Sequence, residues 1–150
     1  MENAIIKPKL SFSDKARDRV VFSICLICIF LFLYTAFSKI LAHARFLQGL
    51  SRAEFIGKFA EYLAWLVPAS EILTAILLIV PKTCQWGLRA FIILMISFTI
   101  YILGMLFWAT TLPCHCGGAI EKLNWTQHVW FNLAFIVLAT FAVRLAKTRN

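Results

Sequence analysis

The sequence predicts an all-α protein: an integral membrane four-helix bundle, with both termini cytoplasmic and an interfacial amphipathic helix between spans 1 and 2. Three observations predict it. Hydrophobic residues make up 61% of the 150 residues and charged residues 15%, against roughly 45–50% and 25% in a soluble domain. Four apolar runs are long enough to cross a bilayer as helices. The Lys and Arg residues behind the net charge of +8 fall in the gaps between those runs. That pattern belongs to membrane orientation and not to a nucleic-acid-binding face. The length implies a single domain, 1–150. Disorder, a coiled coil and an ordinary soluble enzyme are excluded. Apolar residues occur all round each run, which excludes the alternation of a β-barrel strand.

The first span runs from Val20 to Phe37 without a charge, about 27 Å as a helix. It is too long for the apolar region of a signal peptide, although Ala42-His43-Ala44 mimics a cleavage site. Next, Ser51 and Glu54 stand at capping-box spacing. Phe55, Ile56, Phe59, Tyr62 and Leu63 follow at helical spacing. These predict the amphipathic helix in the outer interface. The second span, Leu63 to Val80, carries Pro68 and Glu71. The third, Ala90 to Thr110, has no charge. The fourth covers about Thr126 to Val143, preceded by Asn124 and Gln127 at capping-box spacing. Trp125 and Trp130 suit an aromatic belt. Asn132, polar within its span, is expected to face another helix. His128 reads as a solvated interfacial histidine.

Orientation follows from Lys and Arg. The N-terminal tail, the second connection and the C-terminal tail hold ten, while the first and third connections hold five. Positive residues stay inside, so both termini are expected in the cytoplasm. The third connection, with Cys114 and Cys116, then faces outward, to the periplasm in a bacterium.

Of the five cysteines, Cys25 and Cys28 lie within the first span and read as small buried hydrophobes. Cys84 reads as a reduced thiol in a cytoplasmic turn. Cys114 and Cys116 differ because they fall on the oxidising side. Two extended residues separate Cα atoms by about 7 Å, the upper limit for a disulfide, so ring closure needs a turned backbone. Pro113 ends the preceding span, and Gly117 and Gly118 supply freedom beside the pair. A strained bond is readily reduced, which suits electron transfer better than permanent stapling. His115 is placed to stabilise a thiolate. A metal reading would use Cys114, His115, Cys116 and His128 for copper or zinc. The spacing matches no common structural zinc pattern, and no metal is expected.

Glu71 lies near the middle of the second span, where an acid marks function or a paired interior group. Lys39, just after the first span, is its expected cationic partner, reaching inward along its alkyl stem. Tyr34 and Thr35 offer hydrogen bonds. The pair reads equally as a structural clamp and as a proton or charge relay.

Lys39 after the first span, Pro68-x-x-Glu71 in the second and Cys114-x-Cys116-x-Gly118 after the third occur in that order, followed by Trp125 and Asn132. Over residues 17 to 145 this resembles the methylamine-utilisation protein MauE and its relatives in the DoxX-like group of four-span membrane proteins. The family's usual form has glycine between the cysteines and an aromatic residue after them, where this chain has His115 and Gly117. The resemblance implies an inner-membrane protein of thiol redox chemistry, with a thioredoxin-like periplasmic partner and a link to methylamine dehydrogenase maturation.

The expected function is therefore thiol–disulfide or electron transfer, with Cys114 and Cys116 as the redox pair, tuned by His115. Glu71 and Lys39 would handle charge or protons. A quinone is a candidate electron acceptor, but nothing in the sequence identifies its site. Two alternatives stand beside this reading. One is a non-catalytic assembly partner for a periplasmic protein; the other is a small transporter using Glu71.

Overall fold

The computed structural model describes residues 13–53, 56–108 and 124–147. The described residues form helices without strands. Helix α1 spans Asp14–Leu41, α2 His43–Ser51, α3 Ala60–Ile79, α4 Cys84–Trp108 and α5 Trp125–Lys147, with a 3₁₀ turn at Gly57–Phe59 ahead of α3. Four of these, α1, α3 (with its 3₁₀ turn), α4 and α5, are long and apolar enough to cross a membrane.

The long helices form a square. Around it, α1 packs on α3, α3 on α4, α4 on α5 and α5 on α1, and the α1–α4 diagonal is closed by only a few contacts. The core combines Ile24, Cys28 and Phe32 of α1 with Leu78 of α3, Leu88 and Phe91 of α4 and Ala139 and Ala142 of α5. Phe32 and Phe91 meet across the diagonal with ring centroids 4.3 Å apart. The outer faces are also apolar: Phe22, Phe30, Trp65, Ile93, Ile100 and Val137 all stand exposed. Among the described residues, the buried polar and charged side chains are Glu71, Thr74, Thr99 and Asn132. This distribution suits a lipid solvent, in which polar groups must find partners inside the protein.

Each span is longer than its uncharged stretch. Helix α1 begins six residues before Val20 and takes in Lys15, Arg17, Asp18 and Arg19. It also extends past Phe37 to include Lys39. Backbone hydrogen bonding does not stop where hydrocarbon stops, and Lys and Arg carry their charges outward from a continuing helix. At the start of α5, the backbone N–H of Asn124 donates to Gln127 Oε1 at 2.9 Å, half of the expected capping box.

The helix between the first two spans lies earlier than the sequence suggested. Ala42, with φ −101° and ψ 32°, breaks the chain between α1 and α2. Ser51 is therefore the last residue of α2 and not an N-cap, and its hydroxyl donates back to the Leu47 carbonyl at 2.8 Å. Once a serine lies inside a helix, this bond to the residue four back is its local option. Glu54 and Phe55, the rest of the expected start, lie outside the described residues. Helix α2 itself is amphipathic. Phe46, Leu47 and Leu50 turn inward with Ala60, Leu63 and Ala64 of α3, while Ala44, Arg45 and Gln48 are exposed.

The α3–α4 connection is short and tightly fixed. Val80 is extended and Pro81 follows it, so α3 cannot continue. The Thr83 hydroxyl lies 2.9 Å from the Leu77 carbonyl and 3.2 Å from that of Val80. Gly87 then lets α4 approach α3: a Cβ there would lie 2.8 Å from Leu78 N and 2.9 Å from Leu77 C. Both neighbours are backbone atoms and do not swing aside. Gly87→Ala should lower the thermal midpoint in detergent, at a cost of roughly 1–3 kcal/mol for overpacking. Gly104→Ala, where a Cβ meets nothing within 4 Å, should leave the midpoint unchanged or raise it. Equal losses in the two variants would contradict this packing.

Candidate functional site

The site is built from the last two turns of α1 and the middle of α3. Thr35 and Lys39 are four residues apart on α1 and so share one face. That face meets Glu71, which α3 holds 1% exposed. Lys39 Nζ lies 2.8 Å from Glu71 Oε1 in an ion pair. It also donates to the Thr35 carbonyl at 3.5 Å. Thr35 Oγ1 lies 3.2 Å from Glu71 Oε1 and 3.2 Å from the Phe32 carbonyl. Its single proton serves one of them at a time.

Two further helices close over the cation. The Phe98 ring of α4 and the Phe46 ring of α2 have centroids 5.6 and 5.9 Å from Lys39 Nζ. Both distances are within the range of a cation–π attraction. The ammonium thus contacts α1, α2, α3 and α4. Along α3, Pro68 is fully buried one turn before Glu71. Ser70 donates to the Val67 carbonyl at 2.7 Å, and Thr74 to the Ser70 carbonyl at 2.8 Å.

The carboxylate is used on one side only. Oε1 accepts from Lys39 and Thr35, whereas buried Oε2 has no hydrogen-bond partner among the described residues. A buried acceptor left unmade costs about 1–3 kcal/mol, so Oε2 is a position at which a proton or a donor group would be welcome. Tyr34 points differently from Thr35. It is 48% exposed and stacks on Phe30 along the outside of α1.

A second polar join lies between α4 and α5. Asn132 Nδ2 donates to Thr99 Oγ1 at 3.2 Å, and Thr99 Oγ1 donates to the Met95 carbonyl at 2.7 Å. Asn132 therefore faces another helix. His128 is half-buried in the first turn of α5. Cys114, His115 and Cys116 lie outside the described residues, as do Pro113, Gly117 and Gly118. Among the described residues no group of three His, Cys, Asp or Glu is arranged to hold a metal ion.

Several participants went unread in the sequence. Phe46 and Phe98 look like any other apolar residues, and only packing brings them over Lys39. His43 stacks on Trp65 with ring centroids 4.5 Å apart, and its Nδ1 is buried without a hydrogen-bond partner among the described residues. Cys84 is a free thiol, as expected, but its place differs from an open turn. It opens α4 and is half-buried, with its sulfur 3.0 Å from that of Cys25.

The ion pair has an asymmetric prediction. Lys39→Met leaves Glu71 enclosed without its cation and should cost about 3–5 kcal/mol, the usual penalty for breaking a buried pair. Glu71→Gln should cost less, because Lys39 sits at a helix end and can extend toward solvent. Lys39→Met combined with Glu71→Met should recover most of the loss. Thermal unfolding of the three variants in detergent checks this, and a harmless Lys39→Met would show that the pair does not hold the bundle.

Neither the curated proteins nor the solved structures give a match to this chain. A family model does, and it is described as methylamine utilisation protein MauE. It matches residues 17–145, a stretch containing all four long apolar helices apart from their outermost turns, the Lys39–Glu71 pair and the Cys114–Cys116 connection. With that match over most of its length, the chain belongs to the MauE family of multi-pass membrane proteins.

Proposed function

We propose that this protein is a thiol–disulfide component of a bacterial inner membrane, in which Cys114 and Cys116 exchange electrons with a thioredoxin-like periplasmic protein. The observation that carries the reading is a juxtaposition. The Cys-x-Cys sequence belongs to the connection between α4 and α5. That connection leaves the bundle at the end where α1 finishes with Lys39 and α3 begins. The connection that carries the sulfur pair therefore opens from the half of the bundle holding Lys39, although Glu71 itself lies at the middle of α3 and Phe98, over the ammonium, ten residues before the end of α4. The MauE match supports an association with methylamine utilisation, and the Lys and Arg distribution supports a periplasmic position for this end.

The step is thiol–disulfide exchange. A thiolate of the pair attacks one sulfur of the partner's disulfide and forms a mixed disulfide, releasing the partner's other sulfur as a thiolate. The second cysteine of the pair then attacks the first, closing the Cys114–Cys116 bond and freeing the partner as a dithiol. Two electrons and two protons pass to the partner, and the reverse sequence returns them. His115 stabilises the thiolate. Lys39 and Glu71 balance charge within the bundle, and Glu71 Oε2 is the available proton acceptor. A quinone would serve as the membrane acceptor if the pair is reoxidised within the bilayer.

A second reading, a small transporter centred on Glu71, is favoured by the unpartnered Oε2. The two readings separate on the cysteines. Under the redox reading, Cys114→Ser with Cys116→Ser should abolish the activity in cells, and Cys116→Ser alone should trap a mixed disulfide with a thioredoxin-fold protein. The trapped species is identified by mass spectrometry after alkylation. Full activity in the double-serine variant would end the redox proposal. If activity were then lost in Glu71→Gln alone, the transporter reading would replace it.

A further inference from the structure

A second group of sulfurs lies at the opposite end of the bundle. Cys25 belongs to the first half of α1 and Cys84 opens α4. Their sulfurs are 3.0 Å apart although the residues are 59 positions apart in sequence. Cys28 follows Cys25 by one turn and is fully buried. The arrangement is held from several directions. Thr83 is tied to the carbonyls at the end of α3, and Gly87 presses the first turn of α4 against Leu77 and Leu78. Gln85 Nε2 donates to the Ala146 carbonyl of α5 at 3.5 Å. Cys84 is therefore fixed by its surroundings and does not sample its contact from a loose turn.

The two thiols differ in access. Cys25 is 4% exposed, while Cys84 is half-buried where the chain enters the membrane-spanning part of α4. An S–S bond is about 2.05 Å long, so covalent closure requires an approach of about 1 Å. Packing of small apolar groups explains Cys28, which is enclosed on every side. Cys84 packs on the same core from its edge, but it also brings its sulfur to 3.0 Å from that of Cys25, a neighbour on another helix.

We propose that Cys25 and Cys84 form a second redox-active thiol/disulfide couple, at the end of the bundle carrying the α3–α4 turn, which takes an incoming disulfide as its oxidant. Cys84, as the accessible thiolate, attacks one sulfur of that disulfide. A mixed disulfide forms and the other sulfur departs as a thiolate. The Cys25 thiolate then attacks Cys84 Sγ and expels the remaining half. Two protein thiols become one disulfide, and two electrons and two protons convert the oxidant to two thiols. The new bond crosses the diagonal of the square, where α1 and α4 otherwise touch least. Oxidation thereby adds a covalent tie between two helices that otherwise meet through side chains such as Phe32 and Phe91. This couple is independent of Cys114 and Cys116, and its test removes them.

The test uses the full-length protein in detergent with Cys114→Ser and Cys116→Ser, equilibrated with glutathione at graded ratios of oxidised to reduced form. Samples are quenched in acid, alkylated under denaturing conditions and digested for mass spectrometry. The expected result is reversible loss of two of three alkylated sites, a Cys25 peptide linked to a Cys84 peptide, and Cys28 alkylated throughout. With Cys25→Ala, which keeps the buried site apolar, Cys84 should instead accumulate as a glutathione adduct. Three alkylated cysteines at every ratio would overturn the proposal. So would a Cys25–Cys28 link, or a Cys84 adduct that persists when Cys25 is present.

Discussion

A carboxyl group placed among hydrocarbon must find its partner within the protein, and Glu71 finds it on a different helix. The bond from Lys39 Nζ to Glu71 Oε1, at 2.8 Å, joins α1 to α3. Phe46 and Phe98 then bring α2 and α4 to the same ammonium. Apolar packing cannot set this register. The outer faces of the long helices are as apolar as much of the interior, and lipid tails satisfy such faces as well as another helix does. A polar group is different, because lipid offers it nothing. The ion pair and the Asn132–Thr99 bond therefore define which faces turn inward, the first between α1 and α3 and the second between α4 and α5.

The two ends of the bundle are organised by different means. At the Lys39 end, charge, aromatic rings and the short helix α2 surround one buried pair. At the other end, size governs. Gly87 admits backbone against backbone, and cysteines and alanines fill the narrow space around Phe32 and Phe91. Close approach by small residues is how helices associate without a hydrophobic drive. It also brings sulfurs from separate helices together, so the same packing that fixes the α3–α4 turn creates the contact between Cys25 and Cys84.

The sequence displays the parts of this fold that depend on local chemistry or on the cost of burying charge. Long uncharged runs could be read as spans because nothing else in a polypeptide requires them. The partnership of Lys39 with Glu71 was legible for a similar reason: an acid in mid-span needs a cation, and Lys39 borders the adjacent span. Asn124 and Gln127 marked the start of α5 through a purely local bond. Ser51 misled because its spacing to Glu54 imitates a helix start, whereas the break at Ala42 had already placed Ser51 at a helix end. The contact between Cys25 and Cys84 had no local signature. It depends on how the α3–α4 turn aims α4, and that is decided by Thr83 and Gly87 acting on residues of the preceding helix.

Helix geometry also limits how the two sulfur pairs can cooperate. Helix α4 runs from Cys84 to Trp108, a length of about 36 Å at 1.5 Å per residue. Cys116 follows Trp108 by eight residues, a reach of at most about 29 Å for a fully extended chain. Only a connection folded straight back along α4 and fully extended would bring one of its sulfurs near Cys84. Disulfide exchange demands that sulfurs come to bonding distance, so direct exchange between the two proposed pairs would need that extreme conformation. Otherwise, coupling between them would require either a mobile carrier within the bundle or a movement of α1 against α4 that both pairs sense. Without such a link the two proposed couples would work separately, one at the start of α4 and one in the connection that follows its end.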